Sequence, residues 1–295
     1  MNNILLSICI PTFNRAAILD KTLDDLTSNS EFEINKIEVI ISDNCSTDNT
    51  REVVSKYPQV KYFVNEFNIK DYNFTKALSY STGKYIRLFN DTVKFNPGAL
   101  SFMLNVIEEN FGESKNLFFY QNMFLNQNCS QEITQLKEYF FNTSFFSTWI
   151  ANFGIWRADF EKLENKDCYS ELQFPQLYWS YQTVKNGKNT IIHFSDYFTV
   201  TVPNKKGGYN IFNTFVNKYL LIVKKEKLSI ATYELEKYRL FKNFIYPWLL
   251  TLLVNEKEEY SYDVANVWNI LFSKYWYEPY FYFLCLKFLI HKIKL

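Results

Sequence analysis

Two histidines and five scattered cysteines are all the soft metal ligands in this chain of 295 residues. His193 and His291 lie far apart and no two cysteines are closely spaced, which excludes a structural zinc centre. The cysteines (Cys9, Cys45, Cys129, Cys168, Cys285) are odd in number and sit mostly in apolar runs. A disulfide frame is therefore excluded, and reduced thiols in a cytoplasmic protein are expected. Glycine is also scarce, at seven residues. The first apolar run leads into Pro11-Thr12-Phe13-Asn14-Arg15, where a dinucleotide-dependent oxidoreductase would need a glycine-rich phosphate turn. An excess of either charge is missing too: Lys plus Arg number 32 against 31 Asp plus Glu, so no global field draws nucleic acid. No apolar run is long enough to span a bilayer; the longest, residues 280–286, is far too short. A strand begins within four residues of Met1, so no secretory leader is expected.

What the chain does have is aromatic and aliphatic bulk. Phe, Tyr and Trp make up 19% of it and apolar residues 47%, ample for one large or two small domains. The runs Ile4 to Ile10 and Val39 to Ile41 are nearly continuous in apolar residues, as in strands covered on both faces of a parallel sheet. Each breaks abruptly into polar turn formers, Thr12-Phe13-Asn14-Arg15 and Ser42-Asp43-Asn44. In an open α/β sheet such carboxyl ends are where ligands bind. Ile18, Leu19, Leu23 and Leu26 recur at helical spacing after Asn14; a second helix follows Ser46-Thr47-Asp48, read as its N-cap, with Val53 and Val54 inward. A strand over residues 60–64, a loop to Asp71, a helix over 72–81 and a strand over 85–89 complete a βαβαβαβ unit. From about residue 115 the pattern loosens, with strands expected over 116–120 and 190–194 around an aromatic segment, 140–155. Past residue 210 it reads as helices.

Five stretches then occur in one order: Ser7 to Arg15; Ile41-Ser42-Asp43-Asn44-Cys45-Ser46-Thr47-Asp48-Asn49-Thr50; Asn68; Gly83-Lys84-Tyr85-Ile86; and Leu88-Phe89-Asn90-Asp91-Thr92 leading to Pro97-Gly98-Ala99-Leu100. Together they resemble the family 2 glycosyltransferases of the GT-A fold, over roughly residues 4 to 105. The opening Cys9-Ile10-Pro11, the Ser42-Asp43-Asn44 variant and Gly207-Gly208-Tyr209 are similar to abequosyltransferase-like enzymes of bacterial O-antigen or capsule assembly. The resemblance implies an α/β fold with a mostly parallel, Rossmann-like sheet flanked by helices. It places a glycosyltransferase domain over residues 1–210, with a nucleotide-binding half to 105 and an acceptor half beyond, and leaves a helical, aromatic-rich region over 211–295.

It also implies a nucleotide-diphosphate sugar donor, linked to UDP, CDP or dTDP. Pro11, Thr12, Asn14 and Arg15 would shape the loop around the nucleoside, with Asn44 and Asn68 beside it. Asp43 would accept a hydrogen bond from the base, its alternative reading being an ordinary strand-end turn residue. Where the family binds Mg²⁺ or Mn²⁺ through two or three aspartates, this chain keeps only Asp91, flanked by Asn90 and Thr92 as neutral oxygen ligands. If no metal binds, Lys205 and Lys206, beside Gly207 and Gly208, are the groups to neutralise the diphosphate; their other reading is a solvated loop.

An inverting transfer needs a general base. The resemblance puts it in the window holding Asp159, Glu161, Glu164, Asp167 and Glu171, most of them expected to be surface charges. Glu171, just before an aromatic stretch able to line an acceptor pocket, is the first candidate and Asp167 the second. The basic, aromatic C-terminal segment fits either a bundle packed on the rest of the chain or a helix lying in a membrane interface. The latter would make a polyprenyl-diphosphate-linked saccharide the acceptor and place the protein on the inner face of the cytoplasmic membrane. A non-catalytic nucleotide-sugar-binding module is the rival reading, because the acidic motif is reduced to one carboxylate.

Overall fold

A computed structural model describes residues 4–122, 128–201, 206–254 and 260–293. The chain divides into two compact units, Met1–Tyr139 with Phe146–Thr201, and Phe140–Phe145 with Val202–Leu295.

The first unit runs β1 (Leu6–Thr12), α1 (Ala16–Thr27), β2 (Ile37–Asp43), α2 (Thr50–Ser55), β3 (Val60–Val64), α3 (Tyr72–Ser79), β4 (Tyr85–Leu88), β5 (Val93–Phe95), α4 (Ala99–Asn110), β6 (Lys115–Gln121) and β7 (Cys129–Ile133). Helix α5 (Leu136–Thr143) passes into the second unit. Back in the first come β8 (Gly154–Trp156), α6 (Arg157–Lys162), α7 (Pro175–Lys185), β9 (Asn189–Ser195) and β10 (Phe198–Val200). The main sheet has the order β3-β2-β1-β4-β8, its first four strands parallel and β8 antiparallel. A smaller sheet, β6-β9-β7, and an antiparallel pair, β5-β10, complete the unit.

The continuous apolar runs work as expected for a sheet buried on both sides. Leu6, Ile8 and Ile10 of β1 face one apolar cluster with Leu19 and Leu23 of α1 and Met103 and Ile107 of α4. Cys9, Ile40, Ile86 and Leu88 face the other, with Leu78 of α3 and Trp179 of α7. Each such Ile or Leu is fully buried, a contribution of about 1.5–3 kcal/mol apiece.

The amino end of the sheet is tied by one carboxylate. Buried Glu38 accepts from Ser7 Oγ (2.5 Å), Thr82 N–H (2.6 Å) and Oγ1 (2.8 Å), Gly83 N–H (3.1 Å) and Lys61 Nζ (2.5 Å). Burial alone would raise its pKa; the hydrogen bonds from Lys61, Ser7 and Thr82 more than offset this and hold it low. Gly83 is required here by space, since a Cβ would stand 2.6 Å from Ser7 Oγ and 2.9 Å from the Ser7 nitrogen.

The second unit contains α8 (Leu220–Lys225), α9 (Ile230–Leu240), α10 (Tyr246–Leu253), the short parallel pair β11 (Lys206–Gly207) and β12 (Tyr260–Ser261), α11 (Val267–Tyr275) and α12 (Pro279–Ile293). π-Helical turns over Asn213–Tyr219 and Phe241–Ile245 lead into α8 and α10. No helix among the described residues is long and apolar enough to cross a membrane.

Two neighbouring ionisable residues of α9 are buried in this unit. Lys237 pairs with Glu234 (2.7 Å) and Glu278 (2.5 Å), and Glu236 accepts from Tyr219 O–H (2.7 Å) and Ser144 O–H (2.8 Å). Burial pushes the Glu236 carboxyl up to about 7 despite those two donors. A raised carboxyl pKa means the folded state binds the extra proton, so stability falls as pH rises from the ordinary 4.5 to about 7. Glu236→Gln is expected to flatten that slope, worth on the order of 3 kcal/mol, in denaturant melts at pH 5 and pH 8. Equal slopes in the two proteins would place the titration elsewhere.

Candidate active site

Parallel pairing sets Thr12 of β1 beside Asp43 of β2, and the Phe89 N–H donates to Cys9 O, so the carboxyl ends of β1, β2 and β4 lie side by side. Pro11 is part of β1 itself, paired with Ser42. Arg15, immediately before α1, reaches across this edge: its Nη1 donates to Asp91 Oδ1 at 2.8 Å. Thr22 of α1 holds the same residue from behind, its hydroxyl donating to the Asp91 carbonyl at 2.6 Å. Burial pushes the Asp91 carboxyl above the usual range, and the Arg15 guanidinium pulls against that shift.

The loops after β1 and β2 are interlocked. Asn14, at φ +52°, a conformation Asn tolerates better than most residues, accepts from Thr47 N–H (2.7 Å) and donates its own N–H to Ser46 Oγ (2.8 Å). Asp48 accepts from Ala16 N–H (2.9 Å) at the start of α1, and from the N–H (3.1 Å) and hydroxyl (2.5 Å) of Thr50 at the start of α2. The N-cap position of α2 is Asn49, whose side chain makes no capping bond; Asp48, one residue before it, serves the starts of two helices and joins their loops. These donors outweigh burial and hold the Asp48 pKa low.

Asp43 is buried and accepts from Ser46 N–H (2.9 Å) and Tyr62 O–H (2.5 Å). A carboxylate has about four acceptor positions, so capacity for a base N–H remains. Asn44 differs. Its Nδ2 donates to Asn68 Oδ1 (2.8 Å) and Lys70 O (3.2 Å), and its Oδ1 accepts from Ile69 N–H (2.8 Å) and Asn65 Nδ2 (3.2 Å). That is the full capacity of a carboxamide, and with it the Asn44 side chain pins the loop between β3 and α3 at the same edge. Asn68 Oδ1 belongs to the same pin, accepting also from Lys70 N–H at 2.8 Å.

Two oxygens at this edge have no protein partner: Thr12 Oγ1 and Asn90 Oδ1 are buried without a hydrogen bond. A buried polar group left unpaired costs about 1–3 kcal/mol, which a bound group would remove. Asn90, Asp91 and the buried Thr92 carry oxygen ligands of the hard type that Mg²⁺ and Mn²⁺ take. Among the described residues no three His, Cys, Asp or Glu side chains gather into a cation site.

Glu171 and Asp167 are both exposed, in the segment between α6 and α7. Tyr72, the first residue of α3, donates its hydroxyl to Glu171 at 2.8 Å. That bond, reinforced by the charges of Glu171 and Asp167, raises the Tyr72 pKa. Both carboxylates thus stand at the end of α3 that follows the Asn44-pinned loop. Tyr62 and Tyr72, which hold Asp43 and Glu171, carry no motif that marks them in the sequence. Lys205 lies outside the described residues; of Lys206 only the backbone, in β11, is described.

Comparison with known proteins accounts for this arrangement. The family model Glycosyl transferase family 2 matches residues 7–156, half of the chain. A GalNAc(5)-diNAcBac-PP-undecaprenol beta-1,3-glucosyltransferase of Campylobacter jejuni is 31% identical over 113 residues, 36% of this chain and 35% of the relative. Abequosyltransferase RfbV of Salmonella typhimurium is 35% identical over 91 residues, 29% of this chain and 27% of the relative. The matches thus span about a third of those relatives. Among solved structures, S. aureus TarS 1–349 in complex with UDP superposes with TM-score 0.56 at 19% identity, covering 85% of this chain and 75% of that one. A mannosyltransferase of Pyrobaculum calidifontis in complex with GDP-Man and Mn²⁺ gives 0.55 at 15%, covering 98% and 85%. These likenesses show the GT-A fold. With a family model laid over the very strands and loops that gather the residues above, the chain belongs to the family 2 glycosyltransferases.

Proposed function

We propose that this chain moves a sugar, with inversion, from a nucleotide-diphosphate donor to a saccharide carried on a polyprenyl diphosphate, in the assembly of a bacterial surface polysaccharide. The observation that carries the reading is the edge where Arg15, Asp43 and Asp91 meet the two unpaired oxygens of Thr12 and Asn90. The undecaprenol-linked substrate named for the Campylobacter relative supports the acceptor class, and UDP in the S. aureus neighbour supports a pyrimidine donor.

In this reading Asp43 accepts the base N–H, and Pro11, Thr12 and Asn14 shape the nucleoside side of the loop. Arg15 supplies positive charge beside the diphosphate, with Lys205 and Lys206 as further cations. Asp91, Asn90 and Thr92 are the residues that would hold Mg²⁺ or Mn²⁺, an ion that would stabilise the charge on the departing diphosphate. On the far side of the sugar a carboxylate takes the proton from the acceptor hydroxyl as that oxygen attacks the anomeric carbon. Glu171, oriented by Tyr72, is the first choice and Asp167 the second.

Calorimetric titration with UDP, CDP and GDP tests the donor half. Asp43→Asn keeps the shape and one acceptor oxygen but removes the charge, and is expected to weaken pyrimidine nucleotide binding by about 1.5–3 kcal/mol, the range for a hydrogen bond to a charged group. Unchanged affinity in a folded variant would leave Asp43 as an anchor for Ser46 and Tyr62 alone.

A further inference from the structure

The second unit presents an apolar face that its own fold does not cover. Along α11, Val267, Leu271 and Tyr275 are buried, while Trp268, Phe272 and Trp276, one residue further on in each case, are 43%, 52% and 56% exposed. Along α12 the pattern repeats: Phe281 and Phe288 are buried, and Phe283, Leu286, Leu289 and Ile290 are 45–59% exposed. At about 100° per residue those four fall within an arc of about 120°, opposite the buried pair. The helices pack directly, with Trp268 against Phe288 and Phe272 against Phe281 at ring distances of 5.4 and 5.9 Å. The turn between them is fixed: buried Lys237 pairs with Glu278 at 2.5 Å and donates to Tyr277 Oη at 2.8 Å. This face is preorganised.

We infer that it seats on an anionic phospholipid surface, which deepens the lipid-linked acceptor reading above and rests on it. Charge selects the occupant. Between Val267 and Ile293 the cations are Lys274, Lys287 and Lys292, and the single acidic residue, Glu278, is turned inward onto Lys237. Apolar and aromatic side chains flanked by lysines are the composition of a helix lying in a bilayer interface. Indole and phenol rings sit at headgroup depth, and an anionic surface attracts each lysine beside it. A second copy of the chain fits less well, because lysine is depleted at protein interfaces and a two-fold axis would bring like charges together. No helix among the described residues is long and apolar enough to cross a membrane, so the inferred contact of the described part of α12 is one of lying on the surface.

The full chain is mixed with vesicles of phosphatidylglycerol and phosphatidylethanolamine, or of phosphatidylcholine alone, and floated on a density gradient. Wild type is expected to float with the anionic vesicles and at least tenfold less with the neutral ones. The triple variant Phe283→Ser, Leu286→Ser, Ile290→Ser should lose at least tenfold in partition while keeping its melting temperature. Lys287→Glu, which leaves every apolar side chain in place, should weaken only the anionic case, and it stands as the test if the triple variant does not fold. Wild type that stays out of the floating fraction, or either variant floating as wild type does, would overturn the inference. So would a wild-type dimer in light scattering that the triple variant dissociates without any vesicle binding. Nucleotide titration on the same samples separates the two readings: absent flotation with intact UDP binding removes the surface and leaves the donor site.

Discussion

Asp91→Asn is expected to abolish nearly all sugar transfer, by about a thousandfold or more, equivalent to several kcal/mol of transition-state stabilisation. The residue is the single carboxylate at the end of β4, and its Oδ1 holds the Arg15 guanidinium at 2.8 Å. Removing its charge would loosen Arg15 and, on the proposed reading, weaken the hold on the cation where the departing diphosphate gathers charge. Turnover of donor and acceptor, measured with Mg²⁺, with Mn²⁺ and with chelator, is the check. Chelation should lower the wild-type rate and added metal restore it. Because burial raises the pKa of Asp91 when no cation is bound and a bound cation opposes that shift, the amount of metal needed for half-maximal rate should rise on the acid side, as protonation removes the charge that holds the ion. Full activity in chelator would assign neutralisation of the diphosphate to Arg15 and other side-chain cations. Tight nucleotide binding without turnover, whatever the metal, would favour the non-catalytic binding module.

The second large effect is expected at Glu171. A positioned general base contributes about a hundredfold to ten-thousandfold, so Glu171→Gln should lower kcat within that range and leave UDP affinity unchanged, since the residue lies on α3's side of the edge, hydrogen-bonded to Tyr72. Tyr72→Phe removes the hydroxyl that orients Glu171 and should cost less. The discriminating pattern is the pair of results together with the Asp167→Asn variant: a large loss there and none at Glu171 would move the base to Asp167.

Strands β1 and β2 were legible because fully buried strands must be written in Val, Ile and Leu, and their ends because polar residues cannot continue into that interior. The run over 60–64 is β3 residue for residue, and those over 116–120 and 190–194 extend by one residue at each end into β6 and β9. The antiparallel strand β8 was hidden inside the aromatic segment over 140–155. It is three residues long and begins at Gly154, where the Tyr85 ring passes so close that a Cβ would stand 2.5 Å from it; closeness of that kind leaves no periodic trace. The π-helical turns of the second unit are equally silent, as their register depends on packing. At the site, sequence placed the polar residues along each strand but not their partners. Tyr62 and Asp43 are 19 residues apart, and Tyr72 and Glu171 are 99. The position of Asn44 at the edge is legible from the strand end, whereas the four internal bonds of its carboxamide, to partners 21 to 26 residues away, are not.

The main sheet keeps its polar groups in two very different conditions. At the amino end Glu38 collects five donated bonds, whereas at the carboxyl end Thr12 Oγ1 and Asn90 Oδ1 are buried without a hydrogen-bond partner among the described residues. The molecule therefore separates endurance from chemistry along the length of a strand, some seven residues in β1. A graft that rewrites the loops after β1 and β4, to accept a different nucleotide or sugar, would leave the Glu38 knot intact.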